Sequence, residues 1–115
     1  MIIYHNPRCS TSREVMGLLE KKKIKFEIRD YLQVPPSKKE LKELLEKLGC
    51  KAIDLVRKKE ALYLEKFKEK ELSNGEWIDV LAKYPILIQR PIVIDEKRAI
   101  IGRPPELVIN FLKKK

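Results

Sequence analysis

An apolar run, MIIYH, opens the chain and reads as a short strand. Beyond it Val15, Leu18 and Leu19 recur at helical spacing, and Thr11 with Glu14 has the form of a capping box. A helix is therefore expected to start within two residues of Cys9. FEIRDY alternates again through Phe26, Ile28 and, less regularly, Tyr31, which predicts a second strand. A right-handed crossover sets that strand parallel to the first, and VPP ends it.

The pattern then changes period. Ser37 with Glu40 forms a second capping-box signature, followed by Leu41, Leu44, Leu45 and Leu48 as an apolar stripe and by Gly49 as the stop. AIDLVRKK and EALYLEKF read as shorter helical pieces, and Trp77, Val80, Leu81 and Tyr84 repeat the stripe over 76–84. After Pro85, ILIQRPIVID, a turn around DEK, and RAII read as a β-hairpin; PPELVINFLKKK closes as a helix with proline near its first turn. The order β-α-β, helices, β-β-α implies an α/β fold, a mixed four-stranded sheet flanked by helices, with a helical insert over about 37–84. Cys9 falls at the C-terminal end of the first strand, where open α/β sheets bind ligands.

Composition narrows the picture. With 115 residues and 43% hydrophobic content the chain reads as one domain with a real core. Its longest apolar stretch, PILIQRPIVI, is broken by Gln89 and Arg90 and falls short of the roughly 20 residues needed to cross a bilayer, and no leader pattern opens the chain, so a cytoplasmic protein is expected. The formal charge of +9 suits an anionic partner, although the two KKK runs are ordinary solvated helix-end lysines. No aromatic-interleaved basic stripe supports nucleic-acid binding. Two cysteines and one histidine make neither a disulfide framework nor a metal site, so no metal is expected.

Cys9 carries the candidate chemistry. A thiolate is the nucleophilic form of cysteine, and a helix N-terminus with nearby cations favours it. A thiolate attacking an oxyanion brings two negative charges together, so the site must supply positive charge; arginine does so with a planar fork that holds two oxygens. Arg90 stands out because it interrupts an apolar run, where an unpaired charge is costly, and the adjacent Pro91 suggests an edge or a special turn. Cys50, after Gly49 at a helix end, reads as a small core residue.

Four segments in order, YHNPRCSTSR, LVRK at 55–58, PILIQRPIV at 85–93 and IGRPPE at 101–106, resemble the motifs of the glutaredoxin-coupled arsenate reductases. The resemblance covers nearly the whole chain and implies a single thioredoxin/glutaredoxin-like domain over 1–115. It makes Cys9 the nucleophile, Arg57, Arg90 and Arg103 the oxyanion-binding arginines, and Pro91 a cis-proline beside the site. His5 would tune the thiol, with Asn6 and Ser12 in support. The implied substrate is arsenate, with no bound cofactor, glutathione as co-substrate, glutaredoxin as protein partner, and a monomer with no membrane or nucleic-acid partner. Ser12 stands where a self-sufficient redox motif has its second thiol, which fits an enzyme that borrows its resolving thiol. Two alternatives share the fold: a monothiol glutaredoxin-like oxidoreductase, and a redox-sensing transcription regulator that binds RNA polymerase. Regulators of that type carry Cys-x-x-Cys, and Ser12 argues against one here.

Overall fold

A computed structural model describes residues 1–103 and 105–113. Along these residues the strands are β1 (Ile2–His5), β2 (Glu27–Asp30), β3 (Ile92–Ile94) and β4 (Ala99–Ile101). The helices are α1 (Ser10–Lys21), α2 (Lys38–Leu48), α3 (Ala61–Lys66), α4 (Asn74–Lys83) and α5 (Glu106–Lys113), with 3-10 turns at Ala52–Leu55 and Pro85–Leu87. Pro104 and the last two lysines of the terminal KKK run lie outside the described residues.

The strands form the expected mixed sheet, in the order β2-β1-β3-β4. β1 pairs parallel with β2, Ile2 opposite Glu27 and His5 opposite Asp30, while β1–β3 and β3–β4 are antiparallel. Ile3 and Val93, partners across β1 and β3, are buried with Val15 and Leu19 of α1 and Val108 and Phe111 of α5. That cluster explains the spacing of the apolar residues: 15 and 19 lie one turn apart on α1, and 108 and 111 lie on one face of α5.

Contacts divide the chain into two compact units. One comprises Met1–Val34 with Arg90–Lys115 and contains the sheet. The other, Pro35–Gln89, is the helical segment. In it α2 has the capping box read from the sequence, Ser37 Oγ accepting from the Glu40 N–H at 3.1 Å and Glu40 accepting from the Ser37 N–H. Gly49 closes that helix in the left-handed conformation, φ 69°, which costs a glycine little. Ser73 and Glu76 build a second capping box at the start of α4. Tyr63, Phe67, Trp77 and Tyr84 form a chain of tilted ring contacts 5.9–6.3 Å between centroids.

Several expectations need correction. The Thr11–Glu14 box does not form: Cys9 itself is the N-cap of α1, without a side-chain cap, and Thr11 lies inside the helix. A turn from Asn6 O to the Cys9 N–H, 3.0 Å, starts the helix earlier than the box would. FEIRDY is not an alternating strand with one apolar face, since Ile28 is 54% exposed on the edge strand β2 while Tyr31, past its end, is fully buried. AIDLVRKK is helical only over Ala52–Leu55; Val56 instead bridges to Ile88. ILIQRPIVID is not one strand either. A 3-10 turn covers Pro85–Leu87, the Arg90–Pro91 peptide is cis, and regular pairing begins at Ile92. Pro91 therefore marks a special turn before an interior strand, not an edge, because proline has no N–H for the ladder.

Candidate active site

The site is assembled from three loop ends of the sheet-bearing unit. β1 delivers His5 and Asn6 to a turn whose last residue, Cys9, caps α1. The sulfur thereby stands at the positive end of a 12-residue helix, beside the free N–H groups of its first turn. Asn6 stabilises the turn, its side-chain oxygen accepting from the Arg8 N–H at 3.0 Å. Ser12 is fully buried, and its hydroxyl accepts from the Asn6 N–H at 3.3 Å. The position that could have held a second thiol is thus occupied by a group that ties the cysteine turn to α1.

Arg90 and Arg103 come from the β3 and β4 segments, next to β1 in the sheet. The cis peptide places Arg90 directly before β3, where it is 9% exposed. Past β4, the Gly102 N–H donates to Pro91 O at 2.8 Å and sends the chain back across that proline. A side chain at 102 would have its Cβ 3.0 Å from Val108, 3.1 Å from Val15 and 3.2 Å from Pro91, so this approach uses a residue without one. Arg103 then points inward. Its Nε donates to Arg90 O at 2.7 Å and its Nη2 reaches Cys9 Sγ at 3.1 Å.

These partners set the state of the thiol. Burial pushes the Cys9 pKa up, but the Ser12 N–H, the Arg90 side chain, the Arg103 charge and the Thr11 N–H together bring it from 9.0 down to about 7. Cys9, a buried residue, is therefore shifted towards its thiolate form near neutral pH. His5 is shifted down as well: burial, the largest cause, and Arg13 lower its pKa against the pull of Asp30, and its Nδ1 is buried and unbonded. Arg8 and Arg13 themselves are exposed, as a solvated face would be.

Cys9, Arg90, Arg103, His5, Asn6, Ser12 and Pro91 all belong to the sheet-bearing unit. Arg57 belongs to the helical one, where its N–H donates to Leu87 O at 2.6 Å and its guanidinium lies 3.3 Å from Glu60. Cys50 belongs there too; it is half-buried, and burial together with Asp54 raises its pKa. Sequence reasoning treated Tyr31 only as a strand residue. Its ring stacks on Tyr4, 6.1 Å between centroids, and its buried hydroxyl interacts with the Asn6 and Arg90 side chains without a well-aligned hydrogen bond. The irregular step in the FEIRDY alternation was the available signal. Among the described residues no group of three or more His, Cys, Asp or Glu side chains could hold a metal, and no helix is long and apolar enough to cross a membrane.

A helix-capping thiolate clamped by arginine beside a cis-proline, on a thioredoxin-like sheet, defines a single-cysteine thiol site that can attack or hold a small oxyanion. Residues 4–111 match the pattern of the ArsC family, and the chain belongs to that family. It is 43% identical over 114 residues to an arsenate reductase of Haemophilus influenzae, covering 97% of this chain and 98% of the relative. An arsenate reductase of Neisseria meningitidis is 42% identical over 106 residues, covering 90% and 91%. The solved structure of an arsenate reductase from Vibrio cholerae superposes with a TM-score of 0.89 at 42% identity, covering 95% of this chain and 94% of that one.

Proposed function

We propose that this protein reduces arsenate to arsenite, with Cys9 as nucleophile and glutathione and glutaredoxin as the source of electrons. The single observation that carries the reading is the Arg103 guanidinium 3.1 Å from a helix-capping thiol whose pKa lies at about 7. The Cys9 thiolate attacks arsenic, one arsenate oxygen leaves as water after taking up protons, and a sulfur–arsenic(V) ester forms. Arg90 and Arg103 hold the remaining oxygens, joined by the open N–H groups at the start of α1. Arg57 is the third arginine of this reading, by its place in the LVRK segment. Glutathione then replaces a second arsenic-bound oxygen, which leaves as water. The glutaredoxin thiolate attacks the glutathione sulfur, the bonding pair of that As–S bond passes to arsenic, and the glutathione–glutaredoxin disulfide departs with As(III) still on Cys9; water then cleaves the Cys9–arsenic bond and releases arsenite. The sum is arsenate plus two thiols giving arsenite, water and a disulfide. Ser12, committed to the Asn6 N–H, supports an external resolving thiol.

The test is arsenite production with glutathione, glutaredoxin and NADPH-coupled glutathione reductase. Wild type is expected to turn over and Cys9→Ser to make none. A wild type that makes no arsenite with any thiol donor, yet reduces glutathione mixed disulfides, is a monothiol oxidoreductase instead.

A further inference from the structure

Tyr31 is fully buried just past β2, and its hydroxyl makes no hydrogen bond of good geometry. A buried polar group left in that state is uncommon and calls for a reason. Its surroundings supply one. The ring is fixed by stacking on Tyr4, whose ring is in turn covered by the Arg29 guanidinium at 5.4 Å. The oxygen lies within the influence of the Asn6 amide, the Arg90 guanidinium and the Cys9 sulfur. Burial, with the nearby Cys9 charge, pushes the phenol up to about 12 despite Arg90 and Asn6, so it stays protonated throughout the working pH range.

We propose that Tyr31 is a positioning residue, an uncharged anchor on which the Arg90 guanidinium and the Asn6 amide close when Cys9 ionises or an oxyanion enters. The inference rests on the reading of Cys9 as nucleophile and Arg90 as an anion-binding arginine. A carboxylate at this place would orient Arg90 equally well but would cancel the positive charge that the thiolate and the oxyanion need. A phenol aims the arginine and leaves its charge available. The charged groups acting on Cys9 are Arg90 and Arg103, and Tyr31 works through the first of them.

The test uses the full chain carrying Cys50→Ser, so that Cys9 is the only thiol, and reads its alkylation by iodoacetamide against pH. Tyr31→Phe keeps the ring stack and removes only the oxygen. The midpoint is expected to rise by about half a pH unit, so that alkylation at pH 6 slows roughly threefold. The melting temperature should stay level or rise, since an unsatisfied hydroxyl is being removed. In an Arg90→Ala background the same substitution should shift the midpoint by less than half as much. An unchanged midpoint overturns the inference, as does full additivity with Arg90→Ala or a shift that comes with a clear loss of thermal stability. The alkylation profile uses no arsenate, so a wild type that makes no arsenite removes the reductase reading while this result still stands or falls by itself.

Discussion

The two cysteines sit at opposite kinds of helix end. Cys9 caps the N-terminus of α1, and Cys50 follows Gly49, the C-cap of α2. Burial raises the pKa of both, and it is the first cause in each case. At Cys9 two backbone N–H groups and two arginines overturn it; at Cys50 the neighbouring Asp54 adds to it. Burial therefore does not separate the acidified thiol from the other one. The polarity of the helix end and the sign of the nearest charge do.

The sharpest way to break this contrast is to remove the sulfur that it favours. Cys9→Ser should abolish arsenite production, while Cys50 stays available to a slow alkylating agent, measured by mass spectrometry. Next in size is Arg103→Ala, which deletes both the contact to Sγ and the tie to Arg90 O. Turnover is expected to fall on the order of 100-fold, as for the loss of one preorganised charge-stabilising donor. The Cys9 alkylation midpoint should rise from about 7 towards that of an ordinary thiol.

The lowered pKa also couples to folding. A thiol at about 7 in the folded chain and 9.0 unfolded gains stability that is fully present above pH 9 and is lost as pH falls through 7. Between those limits the gain amounts to about 3 kcal/mol. Denaturant melts of wild type and Cys9→Ser at pH 6 and pH 9 should diverge by an amount of that order, with wild type favoured at the higher pH. Equal differences at both pH values would mean that the folded state does not hold the thiolate.

Smaller effects come from the frame. Gly102→Ala puts a Cβ within 3.0–3.2 Å of Val108, Val15 and Pro91, and should cost about 1–3 kcal/mol by overpacking. Because it pushes on the turn that delivers Arg103, Cys9 reactivity at neutral pH should drop with it. Cys50→Ser closes the series. Turnover within about twofold of wild type is expected for a near-isosteric change at a half-buried site outside the proposed chemistry, and a larger loss would assign Cys50 a part in the chemistry.

β1, β4, α2, α3, α4 and α5 were legible because each is written in local rules: an apolar period, a capping box, a glycine or proline stop. Cys9 was legible for the same reason, as a cysteine at a strand-to-helix junction. The failures lie where a distant partner decides. Thr11 and Glu14 have the sequence pattern of a capping box, yet the Asn6 turn starts the helix two residues earlier. Ile28 looked like a core position but occupies an edge strand, and Tyr31, which looked like its weaker partner, is the buried one.

Local patterning placed most of the strands and helices, set one thiol at a helix start, and carried the motifs of the ArsC family. The acidity of that thiol is set in part by residues far away in the chain. Its pKa depends on Arg90, which follows it by most of the chain, and on Arg103, 94 residues away. The Arg103 approach depends in turn on the cis peptide before Pro91 and on the bare backbone of Gly102. Local patterning records the preferences of neighbouring residues, whereas charge and hydrogen bonding at a buried sulfur are set by whatever the fold brings within a few ångströms, roughly the range over which they act in a protein interior.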